Sequence, residues 1–395
     1  MEFNRIKLKR GKDASLKRGH PWVFSGAIES AELQPLPGDI VEVRSHQGEY
    51  LGHGHWSEGS IAIRLFSFSG YSGEEEFWLK KLSHAVDLRK RLGFVGNHKN
   101  NIYRLVHAEG DGLPGIIIDV YDSVAVIQAH SKGMHAIVPI LAKAIFTVLG
   151  DKVRSVYDKS SAQLRKHADE EMTDGFLLGD EVQGVTGVEH GHNFYIDFID
   201  GQKTGFFIDQ RENRKLLTNY VEGKKVLNTF CYSGGFSVYA KSAGATLVHS
   251  LDSSQKALDL TAQNFELNEM TFDTSELIRA DAVEYLKAME NDYDVIVLDP
   301  PAFAKQLSAR HKAVQGYMRI NEAAMRHMKS GGILFTFSCS QAVDKQLFYN
   351  TLVASAIQAK RGIRILHQLH QPPDHPVSIF HPEGEYLKGF VLEIS

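Results

Sequence analysis

Along the first 70 residues apolar and polar positions alternate in short runs split by glycine, at 39–43, 48–52 and 61–65. Alternation with period two and glycine punctuation predicts a small antiparallel β-domain over 1–70. A polar break at 67–76 follows. Residues 77–92 carry a helical pattern. Two β-rich runs flank Asp122-Ser123 over 116–127 and predict a hairpin, and 134–149 looks helical again. Residues 71–190 therefore read as a central α+β domain. From 191 to 395 the pattern changes. Apolar runs at 226–227, 247–251, 277–278, 295–298 and 332–337 alternate with helical stretches at 236–243, 254–268 and 282–289. That order predicts a doubly wound, mostly parallel Rossmann-like sheet with helices on both faces.

Composition narrows the class. The chain has 395 residues, 43% hydrophobic and 23% charged, which is ordinary for globular domains and excludes a disordered or collagen-like chain. The net charge of −4 does not mark a bulk nucleic-acid binder. Two cysteines, Cys231 and Cys339, exclude a disulfide scaffold or a cysteine-rich zinc module and favour a cytoplasmic location. The longest apolar stretch, 137–149, is interrupted by Pro139 and Lys143 and falls short of the roughly 18 residues of a membrane span.

The chemistry concentrates at strand ends of the last region. The stretch from Asn228 through Phe230, Cys231, Tyr232, Ser233, Gly234 and Gly235 follows a strand and opens a helix. Glycines there let backbone approach a ligand. The dinucleotide pattern G-x-G-x-x-G is absent, which lowers a nicotinamide or flavin reading. Asp252 ends the next strand, where a carboxylate accepts hydrogen bonds from both ribose hydroxyls. Asp281 ends the third strand, placed for an adenine edge, and Asp299 ends the fourth, in Asp299-Pro300-Pro301. Each acid alone is equally readable as a helix N-cap. The three acids and the glycine loop together point to a nucleoside-type cofactor.

These residues resemble class I S-adenosylmethionine-dependent methyltransferases. They resemble more closely the bacterial 23S rRNA cytosine-5 methyltransferase group with an N-terminal PUA domain, which implies a small β-barrel-like fold for residues 1–70. The resemblance spans nearly the whole chain: Gly19-His20-Pro21-Trp22-Val23-Phe24-Ser25, Gly112-Leu113-Pro114-Gly115, the stretch from Lys203 to Arg214, and Tyr386-Leu387-Lys388-Gly389-Phe390. It implies S-adenosylmethionine as cofactor. It places Phe230 to Gly234 around the methionine part, Asp252 with Ser253 at the ribose, and Asp281 with Ala282 at the adenine. Gln210 and Arg211 border the cofactor, Arg211 as a partner for its carboxylate; a solvated helix face is the other reading of Arg211 and Arg214. Large-subunit rRNA and a homodimer are the implied partners, with no membrane.

Cytosine C5 is a poor nucleophile until a thiolate adds to C6, so a cysteine is required. Cys339, between Ser338 and Ser340 just past an apolar strand, is the expected nucleophile. Asp299 is its expected partner at cytosine N3 and also lines the cofactor. Pro300, Phe303 and Lys305 are candidate substrate contacts, Phe303 by stacking or as a plain anchor. Enzymes of the two-cysteine type carry a cysteine after this proline; here Pro301 and Ala302 follow. Cys231 reads as a packing residue. The base that removes the C5 proton is not identified, with His375 and Glu383 as candidates against packing or surface roles. Seven Lys/Arg against two acids in 1–20, and seven against one in 80–104, form the expected phosphate-tracking surface.

Overall fold

The computed structural model describes residues 3–164, 172–290, 292–304 and 306–395. The glycine-punctuated runs form a six-stranded sheet in the order Trp22–Phe24, Ile61–Ser67, Tyr50–Trp56, Ile40–Arg44, Asn4–Leu8, Ile28–Ala31. Asn4–Leu8 and Ile40–Arg44 are parallel and the other neighbours antiparallel. Alternate residues face inward, so Ile6, Leu8, Val41, Val43, Ile63 and Leu65 make the core. Gly54 permits the tight strand approach: a Cβ there would stand 2.5 Å from the Arg64 carbonyl oxygen.

A five-stranded sheet follows, ordered Gly175–Gly179, Ser155–Asp158, Val124–Ala129, Ile116–Tyr121, Ile102–His107. The expected hairpin is present, with Asp122 in the left-handed region that a tight turn demands (φ 51°). The expected helix over 134–149 is two, Lys132–Ala136 and Val138–Leu149. Pro139 lacks an N–H and starts a helix better than it continues one.

These two sheets, with 196–208 and 373–384, pack as one unit. Buried ion pairs bind the late segments into it. Arg104 forks onto Asp119 at 2.8 and 2.9 Å, and the Thr204 hydroxyl donates to the same carboxylate. Arg89, paired with Asp111, donates to the Asp374 carbonyl at 2.7 Å.

The second unit comprises 189–195, 209–372 and 385–395. Its elements are α1 (Arg211–Leu217), β1 (Lys225–Thr229), α2 (Gly235–Ser242), β2 (Leu247–Asp252), α3 (Gln255–Leu267), β3 (Leu277–Arg279) and α4 (Ala282–Ala288). Then come β4 (Val295–Leu298), α5 (Arg310–His327), β5 (Gly332–Ser338), α6 (Lys345–Ala359), β6 (Ile363–Leu369) and β7 (Lys388–Ile394). The sheet runs β3-β2-β1-β4-β5-β7-β6. β1 to β5 are parallel, and β7 lies antiparallel between β5 and β6. Strands covered on both faces read as unbroken apolar runs, which is why β4 is Val-Ile-Val-Leu. The order reverses between β1 and β4, so the ligand crevice opens beyond their carboxyl ends.

Candidate active site

The loop after β1 is wound tightly. Phe230 (φ 55°), Tyr232 (φ 47°) and Gly234 (φ 71°) all have left-handed backbones. Two of them carry side chains, a strain of about 1–3 kcal/mol each that the surroundings must hold. Asp252 does so by accepting from the Tyr232 N–H, and Asn264 by donating to the Ser233 carbonyl at 2.8 Å. A Cβ on Gly234 would stand 2.5 Å from the Thr261 side chain. Cys231 is buried, its Sγ 3.7 Å from the Thr261 hydroxyl. Burial, and then the charge of Asp252, push its thiol far above the ordinary range. That fits a packing residue.

Asp252 ends β2 as expected, and Ser253 beside it is exposed. Its two oxygens accept from the Tyr232 N–H at 3.1 Å and the Ser254 N–H at 3.0 Å, which fixes the carboxylate at the crevice edge. Asp281 is exposed and caps α4 through one oxygen, on the Val283 and Glu284 N–H groups, while Ala282 behind it is buried. Gln210 and Arg211 are both buried: Gln210 accepts from Asn213, and Arg211 Nε donates to Glu212 at 3.1 Å. A solvated face for Arg211 and Arg214 is therefore overturned. Arg214 forks onto the fully buried Glu189 at 2.8 and 2.7 Å, with the Tyr239 hydroxyl on the same carboxylate. Burial works against the Arg214 charge, but Glu189 outweighs it and raises the group above its usual value. The pair lies against Gly235, where a Cβ would be 3.0 Å from Arg214 Cδ, and so props the start of α2. Glu189 lies 25 residues upstream, and no spacing motif signals it.

At the other side of the crevice, Leu298 of β4 pairs with Thr336 of β5, so Asp299 and Cys339 leave neighbouring strands at one edge. The Ser340 hydroxyl donates to the Ala304 carbonyl at 2.7 Å and ties the two strand ends together. Cys339 and Asp299 are half-buried and Pro300 is buried. The Phe303 ring packs edge-on against Tyr317 (centroids 4.7 Å apart) and beside Gly316, a packing contact for a residue also considered for base stacking. Asn321 donates to the Tyr317 carbonyl and accepts from Thr336, pinning α5 to β5. Lys305 lies outside the described residues. His375 and Glu383 both belong to the first unit. There His375 is buried with Nδ1 3.1 Å from Asp374, and Glu383 faces His20 and His381.

The basic stretches divide. Arg89 and Arg104 are consumed by Asp111 and Asp119, and Lys81 by the Gly112 carbonyl, so they are not a phosphate surface. Arg5, Lys7 and Lys17 pair with acids. Lys90 pairs with Asp87, whereas Lys9, Arg10, Lys12 and Arg18 remain exposed, as do Lys80, Arg91 and Lys99. Among the described residues no helix is long and apolar enough to cross a membrane.

Comparison with known proteins decides the family. Residues 6–68 match the PUA-like domain family, and residues 158–383 match the S-adenosylmethionine-dependent methyltransferase family. The chain is 38% identical, over 98% of both chains, to ribosomal RNA large subunit methyltransferase I of Aeromonas hydrophila. It belongs to the large subunit methyltransferase I family. A solved structure of a putative SAM-dependent methyltransferase from Streptococcus mutans shares the fold. Its TM-score is 0.85 at 22% identity, over 98% of this chain and 99% of that one. A putative methyltransferase complexed with SAH matches with the same TM-score, identity and coverage. S-adenosylmethionine is the cofactor of this methyltransferase family member. The site's chemistry fits it: a left-handed loop closed by Gly234 and an oriented carboxylate at the end of β2.

Proposed function

We propose that this protein methylates C5 of a cytosine in large-subunit ribosomal RNA, with Cys339 as nucleophile. The observation that carries the reading is the half-buried Cys339, tied through Ser340 and Ala304 to the Asp299 loop one strand away. When bound, S-adenosylmethionine supplies an electrophilic methyl group. Asp252 holds its ribose, Asp281 and Ala282 border the adenine, and the loop from Phe230 to Gly234 encloses the methionine part. Gln210 and Arg211 border the cofactor. The Cys339 thiolate forms a bond to C6, and the ring electrons moved to C5 take up the methyl group. Loss of the C5 proton then expels the thiolate. Asp299 holds N3 and offsets the charge shifted onto the ring, and the Pro300 carbonyl accepts from the exocyclic amine. The first 70 residues bind RNA through Lys9, Arg10, Lys12 and Arg18, which are exposed.

The test uses 5-fluorocytidine-substituted rRNA with S-adenosylmethionine. Fluorine blocks the last step, so the enzyme stays bonded to RNA through a denaturation-resistant link. Cys339→Ala forms no such complex and leaves no 5-methylcytidine in nucleoside mass analysis. Cys231→Ala still forms the complex. Full methylation by Cys339→Ala rejects the nucleophile and moves the reading to a base nitrogen.

A further inference from the structure

Lys388 opens β7 and stands opposite Ser338 in the antiparallel ladder with β5. The residue is 5% exposed, and Nζ donates to the Ser340 carbonyl at 2.7 Å. Its backbone thus faces the residue before Cys339 and its ammonium holds the residue after it. The next residue is Gly389, where a Cβ would meet the Phe337 ring at 2.5 Å. Only glycine lets β7 approach β5 this closely, which keeps the ammonium against the end of β5.

We propose that the Lys388 ammonium is the positioning residue that keeps Cys339 as its thiolate. It acts through the nucleophile, and its purpose rests on the cytosine-5 reading above. A buried ammonium is stable only where negative charge or hydrogen bonds compensate it. Burial lowers Lys388 from its ordinary range. Against that work the charge of Cys339 first, then Asp344 at the start of α6 and Glu385 before β7. Tyr317 on α5 is buried; burial raises its hydroxyl strongly, and the charges of Cys339 and Asp299 add to the rise. Tyr317 is therefore neutral and Lys388 is the cation of the group. The thiol proton leaves to solvent, while Lys388 keeps its own three protons. A free thiol titrates near 8.5 and is only about 3% thiolate at pH 7. An opposite charge a few ångström away moves a titrating group by about 1–3 pH units. A shift of about one unit already makes roughly a quarter of the thiol reactive at pH 7.

The experiment follows carboxamidomethylation of Cys339 by iodoacetamide in the full chain without RNA. Rates are read on the Cys339 peptide by mass spectrometry across pH 5.5 to 9.5. The expected midpoint for the native protein lies below about 8. Lys388→Met raises it by about one unit or more, with S-adenosylmethionine affinity by calorimetry as the check of folding, and Lys388→Arg keeps it near the native value. A native midpoint at or above about 8.5 overturns the proposal, and needs no variant. So does a Lys388→Met midpoint equal to the native one. Because no RNA is present, the titration stands apart from the base assignment: a nitrogen-methylated product rejects cytosine-5 transfer and leaves the measured midpoint as it is.

Discussion

Cys231 and Cys339 both lie just past the ends of parallel strands, β1 and β5, at the same edge of one sheet. Around Cys231 the chain is wound into left-handed turns, Thr261 and Asn264 close over it, and the nearest charge is the carboxylate of Asp252. Cys339 is only half-buried, and the buried ammonium of Lys388 bonds the carbonyl of the next residue, Ser340, close enough to feel the charge of Cys339. Burial and a neighbouring negative charge suppress a thiolate, whereas partial exposure and a neighbouring cation favour one. The two loops therefore differ in kind: the first is rigid and shuts its thiol away, and the second leaves its thiol partly exposed.

The largest expected effect comes from removing the prop of the first loop. Glu189→Gln leaves Arg214 buried beside a neutral partner, and breaking a buried pair costs about 3–5 kcal/mol. Urea unfolding should show that loss, with the midpoint moving and the slope held. A loss under about 1 kcal/mol would mean that the loop does not depend on this pair. Next, the thiols should differ by about a hundredfold or more in alkylation rate at pH 8.5, since only the thiolate reacts. The Cys231 group, raised by burial, stays protonated there, so its peptide remains unmodified until the protein unfolds. Equal labelling of both peptides would remove the contrast. Third, Asp252→Ala should weaken S-adenosylmethionine about tenfold or more in calorimetry, since charge-assisted bonds to ribose hydroxyls contribute roughly 1.5–3 kcal/mol each. Unchanged affinity would reject this assignment. The smallest effect belongs to the surface. Arg10→Glu with Lys12→Glu should lower the slope of log affinity against log salt by about two for rRNA, without changing cofactor affinity.

The alternation of apolar and helical stretches made β1 to β5 legible, because strands covered on both faces cannot hide polar residues. The acids at their ends were legible because they interrupt those runs: Asp252 and Asp299 stand where expected. Asn4–Leu8, Trp22–Phe24 and Ile28–Ala31 carry no clear pattern, since short half-buried strands share their charged faces with loops. Arg89 and Arg104 looked like surface charge because nothing local shows that Asp111 and Asp119 will meet them. Lys388 was legible only as part of a matching tail. Its place beside Cys339 comes from an antiparallel register between strands separated by a helix and a further strand.

Arg89 also has a consequence for how the protein is made. Its guanidinium donates to a carbonyl 285 positions later, at Asp374, and that residue's carboxylate accepts the N–H of Arg104. On the ribosome, the first half of the polypeptide emerges long before this partner exists. At about 5–20 residues per second the delay is roughly 15 to 60 s. During that time two arginines and their backbone wait incompletely satisfied. The nascent first unit is therefore an unfinished body, exposed to chaperones and proteases, until codon 374 has been read. A premature stop before codon 374 would damage the beginning of the protein as surely as its end.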